Sequence, residues 1–536
     1  MNNNEISNLI DTSEELISDY KKSTDAYKSN VVGAFKPKSM GDVQSILRYA
    51  NQKNLKIWPV SSGRNFGYGT SQGDCNCSYY ILDLSLLKDI TYEGNGVVTI
   101  GAGVTQKDLY NFLRDKNLDY LVPITGAGPD CSLIGNAIDG GYGQTPITDH
   151  FDAFLKFSGF WGSGEDLCAG YFTTVKGFNN ESIPLEWSAG VGLNIKSILR
   201  QTGIGVITSG VLKLSPLKQG SQIIIIKWPS QSAFINGQPI IKEFIENFPT
   251  STALSMNSLR SLASMPGISL FDSSNVAERQ KNIAQLEQDY YISPWTTVLP
   301  VFGDNIVTTA AVKLIKKTFK SKFKGDFEKD SPTVINLSLK KISVLHKWIS
   351  FFLPYAPNFL KKILYPQSNS LKNLSSILTG TPNADFLQLA YTFFKDTSSG
   401  VKNPAKENKL GLYWFSPVLP LNREFMMQYV VDVKKILLDH GFDPLLAFTA
   451  KSPDICTSIT PLLFNKEDDT DVQRVKNCLE DLFEYVKSKN ILLYRLAPEL
   501  YNSYNFEDYA KEAQHALLKS VFDPNEVLVS KYVNNK

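Results

Sequence analysis

The chain has 536 residues, 43% of them hydrophobic and 20% charged, and a formal net charge of +2. That length allows about two to four domains, and the composition is globular with ample material for a core. Charge this close to balance gives no electrostatic case for nucleic acid as the partner.

Residues 5–27 place Ile6, Leu9, Ile10, Leu16, Ile17 and Tyr20 at helical spacing. Residues 42–50 read as a second helix, with Val43, Ile46, Leu47 and Ala50 on one face. Strands are predicted at 55–60, 79–83 and 97–101. The first runs into Ser61-Ser62-Gly63-Arg64-Asn65-Phe66-Gly67-Tyr68-Gly69, a loop with three glycines. Glycine lets the backbone turn sharply, and successive inward N–H groups make a nest for phosphate oxygens. Thr105 is placed to cap a helix that buries Leu109, Phe112 and Leu113. Gly101-Ala102-Gly103 is no Rossmann turn, because the third glycine and the later acidic residue are missing.

A second glycine-rich segment spans Gly126 to Gly143 and contains Ser132, Gly135 and Asn136; Thr145-Pro146-Ile147-Thr148-Asp149-His150 follows. Gln201-Thr202-Gly203-Ile204-Gly205-Val206-Ile207-Thr208 is a third such turn. Near residue 218 the character changes. Strands are predicted at Gln222 to Trp228 and Thr296 to Phe302, with a helix from about Ile306 to Phe319. Leu412-Tyr413-Trp414-Phe415-Ser416-Pro417 comes later, and an apolar strand, Ile491 to Leu493, leads into Tyr494-Arg495.

In this order the segments resemble the vanillyl-alcohol oxidase and p-cresol methylhydroxylase flavoproteins. The likeness covers most of the chain and is weakest between about 325 and 405. It implies an α+β fold: a PCMH-type FAD-binding domain over residues 1–217, an inserted α+β cap or substrate domain over 218–495, and a return to the first domain over 496–536. It implies FAD contacts from Ser62, Gly63, Arg64, Asn65, Gly67, Tyr68 and Gly69, from Ser132, Gly135 and Asn136, and from Gly205, Val206 and Thr208. Tyr68, Tyr494 and Arg495 would hold a phenolate oxygen, with Trp414 lining the pocket over the flavin. Asp130 is the nearest carboxylate available as a base.

The chemistry gives such a trio a purpose. Holding a phenol of pKa near 10 ionised at neutral pH costs about 4 kcal/mol. Charge-assisted hydrogen bonds of about 1.5–3 kcal/mol each offset that. On its own a Tyr-Arg dipeptide reads as a structural pair, and the loop match is what favours the phenolate role. The implied reaction is an FAD-dependent oxidation of a para-substituted phenol at its benzylic carbon, by hydride transfer to flavin N5 through a quinone methide. Two alternatives stay open. The same fold could act on a sugar, alcohol or hydroxy acid, or the chain could be a flavin-binding protein whose catalysis has decayed.

The chain also departs from the family pattern. Leu412 stands where the oxidase branch has a histidine bound covalently to FAD. Tyr391 is the one tyrosine in the stretch before it that could take the link used by the methylhydroxylase branch. The expectation is therefore dissociable FAD. Thr457-Ser458 replace a His-His pair, and Val529-Ser530-Lys531-Tyr532 replace the family's C-terminal Ala-Pro-Gly-Lys. Oxygen, a cytochrome or another electron carrier would reoxidise the flavin, and the resemblance implies a homodimer or larger assembly.

Six cysteines are scattered, and Cys75-Asn76-Cys77 has no second pair or histidine at metal spacing, so no metal site is expected. Of the four histidines only His150 stands in a matching motif, and a structural role suits it better than a catalytic one. His346, His440 and His515 read as helix-surface residues. The polar N-terminus shows no signal peptide and no apolar run reaches spanning length, so a soluble cytoplasmic protein is expected. Residues 345–365 mix aromatics with lysines. Such a stretch suits a membrane surface, or a cap insertion packed on the body or on a second subunit.

Overall fold

The computed structural model describes all residues except 1–5, 7–8, 28, 74–76, 188–189, 249, 266–275, 324–329, 353–354, 356, 358–371, 374, 393–402, 505–508 and 530–536. By its own contacts the chain divides into two units. One comprises Met1–Gly143, Asp149–Pro216 and Ala497–Lys536; the other comprises Gln144–Thr148 and Leu217–Leu496.

The first unit is built on two sheets. In one, strands β1 (Ile10–Asp11), β2 (Val31–Phe35), β3 (Ile57–Val60) and β4 (Tyr79–Asp83) lie in the order β1-β2-β4-β3. Both β2 and β3 run parallel to β4. Within the helical pattern over 5–27, residues Glu14–Tyr20 form α1. Upstream, Ile10 pairs with Phe35 as a strand, and the Asp11 carboxylate accepts the Ser13 N–H at 2.9 Å, turning the chain before α1 begins. Between β2 and β3, α2 (Met40–Lys53) opens on a capping box from Ser39 and Asp42. It buries Val43, Ile46, Leu47 and Ala50, the face the sequence predicts. That face joins Phe35, Ile57, Leu82 and Val206 in one core.

The second sheet of this unit is antiparallel. It comprises β5 (Ile90–Gly94), β6 (Val97–Gly101), β7 (Phe154–Trp161), β8 (Asp166–Gly170) and β9 (Gly205–Lys213), in the order β5-β6-β9-β7-β8. Helix α3 (Gln106–Asp115) is capped by Thr105, whose hydroxyl accepts from Asp108 N–H at 3.1 Å, as predicted. The glycines of Gly101-Ala102-Gly103 serve packing: a Cβ on Gly101 would stand 2.3 Å from the Leu87 carbonyl. A short helix, α4 (Leu133–Ile138), follows. The C-terminal segment returns to β3, with the Ile57 N–H donating to Val527 and the Val529 N–H donating to Ile57.

The second unit contains an eight-stranded antiparallel sheet. In sequence its strands are β10 (Gln222–Trp228), β11 (Ala253–Asn257), β12 (Trp295–Val301), β13 (Thr333–Ser338), β15 (Pro417–Pro420), β16 (Ala447–Ala450), β17 (Ile455–Ser458) and β19 (Leu492–Leu493). Their spatial order is β13-β10-β12-β11-β16-β17-β15-β19. A separate pair joins β14 (Leu410–Phe415) to β18 (Thr460–Asn465). The core is aromatic. Phe234 stacks on Trp295 at 4.1 Å, and the Trp228 indole N–H donates to Thr297 at 2.8 Å.

Within 345–365, Trp348, Phe351, Phe352 and Tyr355 are exposed, and residues 358–365 lie outside the described residues. Among the described residues no helix is long and apolar enough to cross a membrane, and no cluster of His, Cys, Asp and Glu could hold a metal ion.

Candidate active site

In the first unit the three glycine-rich segments converge. The loop after β3 turns on Gly63, Gly67 and Gly69, with φ of +62°, +74° and +99°. Its far half is tied down internally. The Tyr68 and Thr70 N–H groups donate to the Asn65 carbonyl, and the Gly67 N–H donates to the Thr24 hydroxyl at 2.8 Å. Its near half is different. Among the described residues, the N–H groups of Ser62, Gly63 and Arg64 have no acceptor within the chain. Three successive half-buried donors beside an arginine fit an anionic group such as a pyrophosphate.

The second segment is bound to the first. The Ser132 N–H donates to the Ser62 hydroxyl at 2.9 Å, and the Ser132 hydroxyl caps α4 at the Gly135 N–H. A Cβ on Gly135 would stand 2.2 Å from the Ser61 hydroxyl, so the glycine leaves room for that hydroxyl where helix and loop meet. Asn65 donates to Asp139 at 2.8 Å. The Asn136 Oδ1 meets the His150 Nδ1 at 2.7 Å. The third segment opens β9. Val206 and Thr208 are buried there, and the β9–β7 pairing slips between Ile207 and Ser209, a bulge at Thr208 that re-aims the strand. The Thr208 carbonyl accepts the Ala102 N–H at 2.9 Å and joins this strand to the end of β6.

The remaining site residues lie in the second unit. Trp414 is the half-exposed member of β14, a strand otherwise buried. Two residues on, the Ser416 carbonyl accepts the Tyr494 N–H at 3.1 Å. Trp414 and Tyr494 therefore hang from adjoining backbone. Arg495 is buried, with its guanidinium carbon 6.0 Å from the centre of the Tyr494 ring, and the Lys451 ammonium stands 6.0 Å from the same ring. Tyr68, the third of the expected trio, belongs to the first unit, where it is 6% exposed.

Other expected residues are placed as follows. Asp130 is a largely exposed side chain 3.8 Å from the Arg64 guanidinium, so its nearest partner is the loop arginine. Leu412 and Tyr391 are both buried. Thr457 and Ser458 lie on β17 among sheet partners. Two of the histidines read as surface residues are engaged: His440 meets Asp481 at 2.7 Å, and the half-buried His515 meets the Thr202 carbonyl at 2.6 Å. The side chain of His346 lies outside the described residues, as does Cys75.

Sequence reasoning passed over Arg260. It lies on α5 (Ser258–Ala263), capped by Asn257, and its guanidinium stands 5.5 Å from the Trp414 ring. The available signal was an arginine on a short helix whose neighbours Leu259, Leu262 and Ala263 are all buried.

The family model described as FAD binding domain matches residues 32–157, the stretch that holds the first two glycine-rich segments. Residues 32–157 are an FAD-binding domain. The cofactor of the chain is thus FAD. The chain is 21% identical to 1'-carboxy-chondrochloren decarboxylase of Chondromyces crocatus, across 97% of this chain and 93% of that protein. It is 18% identical to the 4-cresol dehydrogenase (hydroxylating) flavoprotein subunit of Pseudomonas putida, across 91% and 84%. The crystal structure of p-cresol methylhydroxylase with substrate bound superposes with a TM-score of 0.77 at 17% identity, covering all of this chain and 96% of that one. The fold is that of an FAD-dependent oxidoreductase of the p-cresol methylhydroxylase type, and the predicted α+β class holds.

Proposed function

We propose that the protein oxidises a para-substituted phenol at its benzylic carbon. The observation that carries this reading is the buried Arg495 beside Tyr494, in the same unit as Trp414 and joined to its strand through Ser416. The likeness to p-cresol methylhydroxylase and to 4-cresol dehydrogenase supports it.

Each residue then has a defined task. Arg495 and the hydroxyl of Tyr494 hold the substrate oxygen as phenolate. Fixed donors and a cation favour the ionised form without reorganising during the reaction. The electron-rich ring weakens the benzylic C–H bond, so hydride can depart and leave a quinone methide for water to attack. Trp414 orients the ring. Ser62, Gly63 and Arg64 hold the pyrophosphate of FAD, and Gly135 lets α4 approach that loop. FAD, when bound, accepts the hydride. Oxygen or an electron carrier then takes the electrons, and the working assembly is a homodimer or larger.

The deciding experiment follows the visible spectrum of the holoenzyme anaerobically while 4-hydroxybenzyl alcohol and 4-alkylphenols are added. The flavin band should bleach, and Tyr494→Phe or Arg495→Ala should slow bleaching by at least about a hundredfold, the order expected when a stabilising donor is removed. A yellow protein bleached instead by a sugar or hydroxy acid would move the function to that substrate class.

A further inference from the structure

The guanidinium of Arg260, in the second unit, has no task in the reaction proposed above. Its Nη1 is shut off from solvent and has no hydrogen-bond partner among the described residues. Burial pushes the guanidinium pKa down to about 9, and among the described residues no carboxylate offsets that effect. Arginine nevertheless stays charged at neutral pH. Taking a guanidinium nitrogen out of water with neither a hydrogen-bond partner nor a counter-charge is unfavourable, and a ligand carboxylate would supply both.

The setting is prepared. The Asn257 side chain accepts the Arg260 N–H at 2.9 Å and donates to the Pro444 carbonyl at 2.7 Å, so the helix carrying Arg260 is fixed at its start. The Ser264 hydroxyl donates to the Arg260 carbonyl at 2.8 Å. Among the described residues it is the face of Trp414 that attends the guanidinium, and an aromatic face attracts a cation without neutralising it. Both Arg260 and Trp414 keep partial exposure among buried neighbours.

We propose that Arg260 recognises a carboxylate on the substrate, whose aromatic ring lies against Trp414. This rests on the reading of the second unit as the substrate-binding part, and it narrows the substrate from a neutral alkylphenol to an aromatic acid. A guanidinium pairs with a carboxylate through two parallel N–H···O bonds, and the buried Nη1 supplies one of those donors. Arg495 remains with the phenolate, so the two arginines read two different ends of the ligand.

The test is perturbation of the flavin spectrum of the holoenzyme by two matched pairs: 4-hydroxyphenylacetate with its methyl ester, and phenylacetate with phenylacetamide. Wild type should bind each acid at least about tenfold tighter than its neutral partner, since a charge-assisted bidentate pair is at stake. Arg260→Met should erase the preference and leave FAD content unchanged. Its ligand-free melting temperature should match or exceed that of wild type, because an uncompensated charge has gone; a merely structural arginine would give the opposite shift. Arg260→Lys keeps the charge without the fork and should retain part of the preference, which keeps the test open if the methionine variant does not fold.

Equal binding of acid and neutral partner, a preference that survives in Arg260→Met, no binding of either acid, or loss of FAD from Arg260→Met would each overturn the assignment. The last outcome would give Arg260 to the cofactor. If neither phenol bleaches the flavin yet phenylacetate still outcompetes its amide, the phenol reading fails and the Arg260 assignment stands. If phenols bleach it with no acid preference, the reverse holds.

Discussion

Gly135 shows how much of a cofactor site can depend on a missing side chain. A Cβ there would meet the Ser61 hydroxyl at 2.2 Å, well inside van der Waals contact, and would displace that hydroxyl at the base of the loop that carries Ser62, Gly63 and Arg64. Gly135→Ala should weaken FAD binding by about tenfold or more, through overpacking of the kind that costs about 1–3 kcal/mol in a well-packed core. Gly41 is the control. It lies on the exposed side of α2, where a Cβ would meet only the Ser39 hydroxyl at 3.7 Å. Gly41→Ala should leave FAD affinity unchanged and stabilise the helix by about 0.5–1 kcal/mol. FAD titration by fluorescence quenching and a melting curve for each variant check both signs. Loss of FAD from Gly41→Ala as well would mean that the first variant reports general damage.

At the scale of elements, the C-terminal helix Tyr509–Phe522 carries a pH-sensitive contact. His515 meets the Thr202 carbonyl through Nε2, and its Nδ1 has no partner among the described residues. Burial holds its pKa below the ordinary histidine value, with Lys519 adding to that and the Thr202 bond opposing it. The sign follows from linkage. The unfolded state takes up a proton first, near pH 6.5, so stability is full above that pH and falls as pH drops toward the folded-state value. His515→Gln keeps a donor for Thr202 without titrating, and should flatten the dependence of melting temperature on pH below about 6.5. An unchanged slope would place the acid sensitivity elsewhere.

The same scale shows what could be read ahead of the structure. The glycine loops, the Thr105 cap and the strand Gln222–Trp228 were legible because each is set by neighbours in sequence. Ile10 and Asp11 were misread, because β1 is formed by pairing with Phe35 and the periodic pattern carries no trace of that partner. His515 and Arg260 were illegible for the same reason: Thr202 and Trp414, which define their environments, are far away along the chain.

For the whole molecule, the question is whether FAD is held by binding alone. The position of the linking histidine is Leu412, an apolar residue on β14 with no atom that could bond to the flavin, and the one alternative tyrosine, Tyr391, is buried. What the first unit offers is N–H groups, a cation and shape, all of which act reversibly. Acid precipitation should therefore release yellow FAD into the supernatant and leave a colourless pellet. Dissociable FAD also couples to folding. A ligand that binds only the native state stabilises it by RT ln(1 + [L]/Kd), about 2.7 kcal/mol at a hundredfold excess over Kd. The melting temperature of the protein should accordingly climb with added FAD and keep climbing with its logarithm past saturation. A covalent flavin would give a yellow pellet and a melting temperature indifferent to added FAD, and would return Tyr391 to the site as its point of attachment.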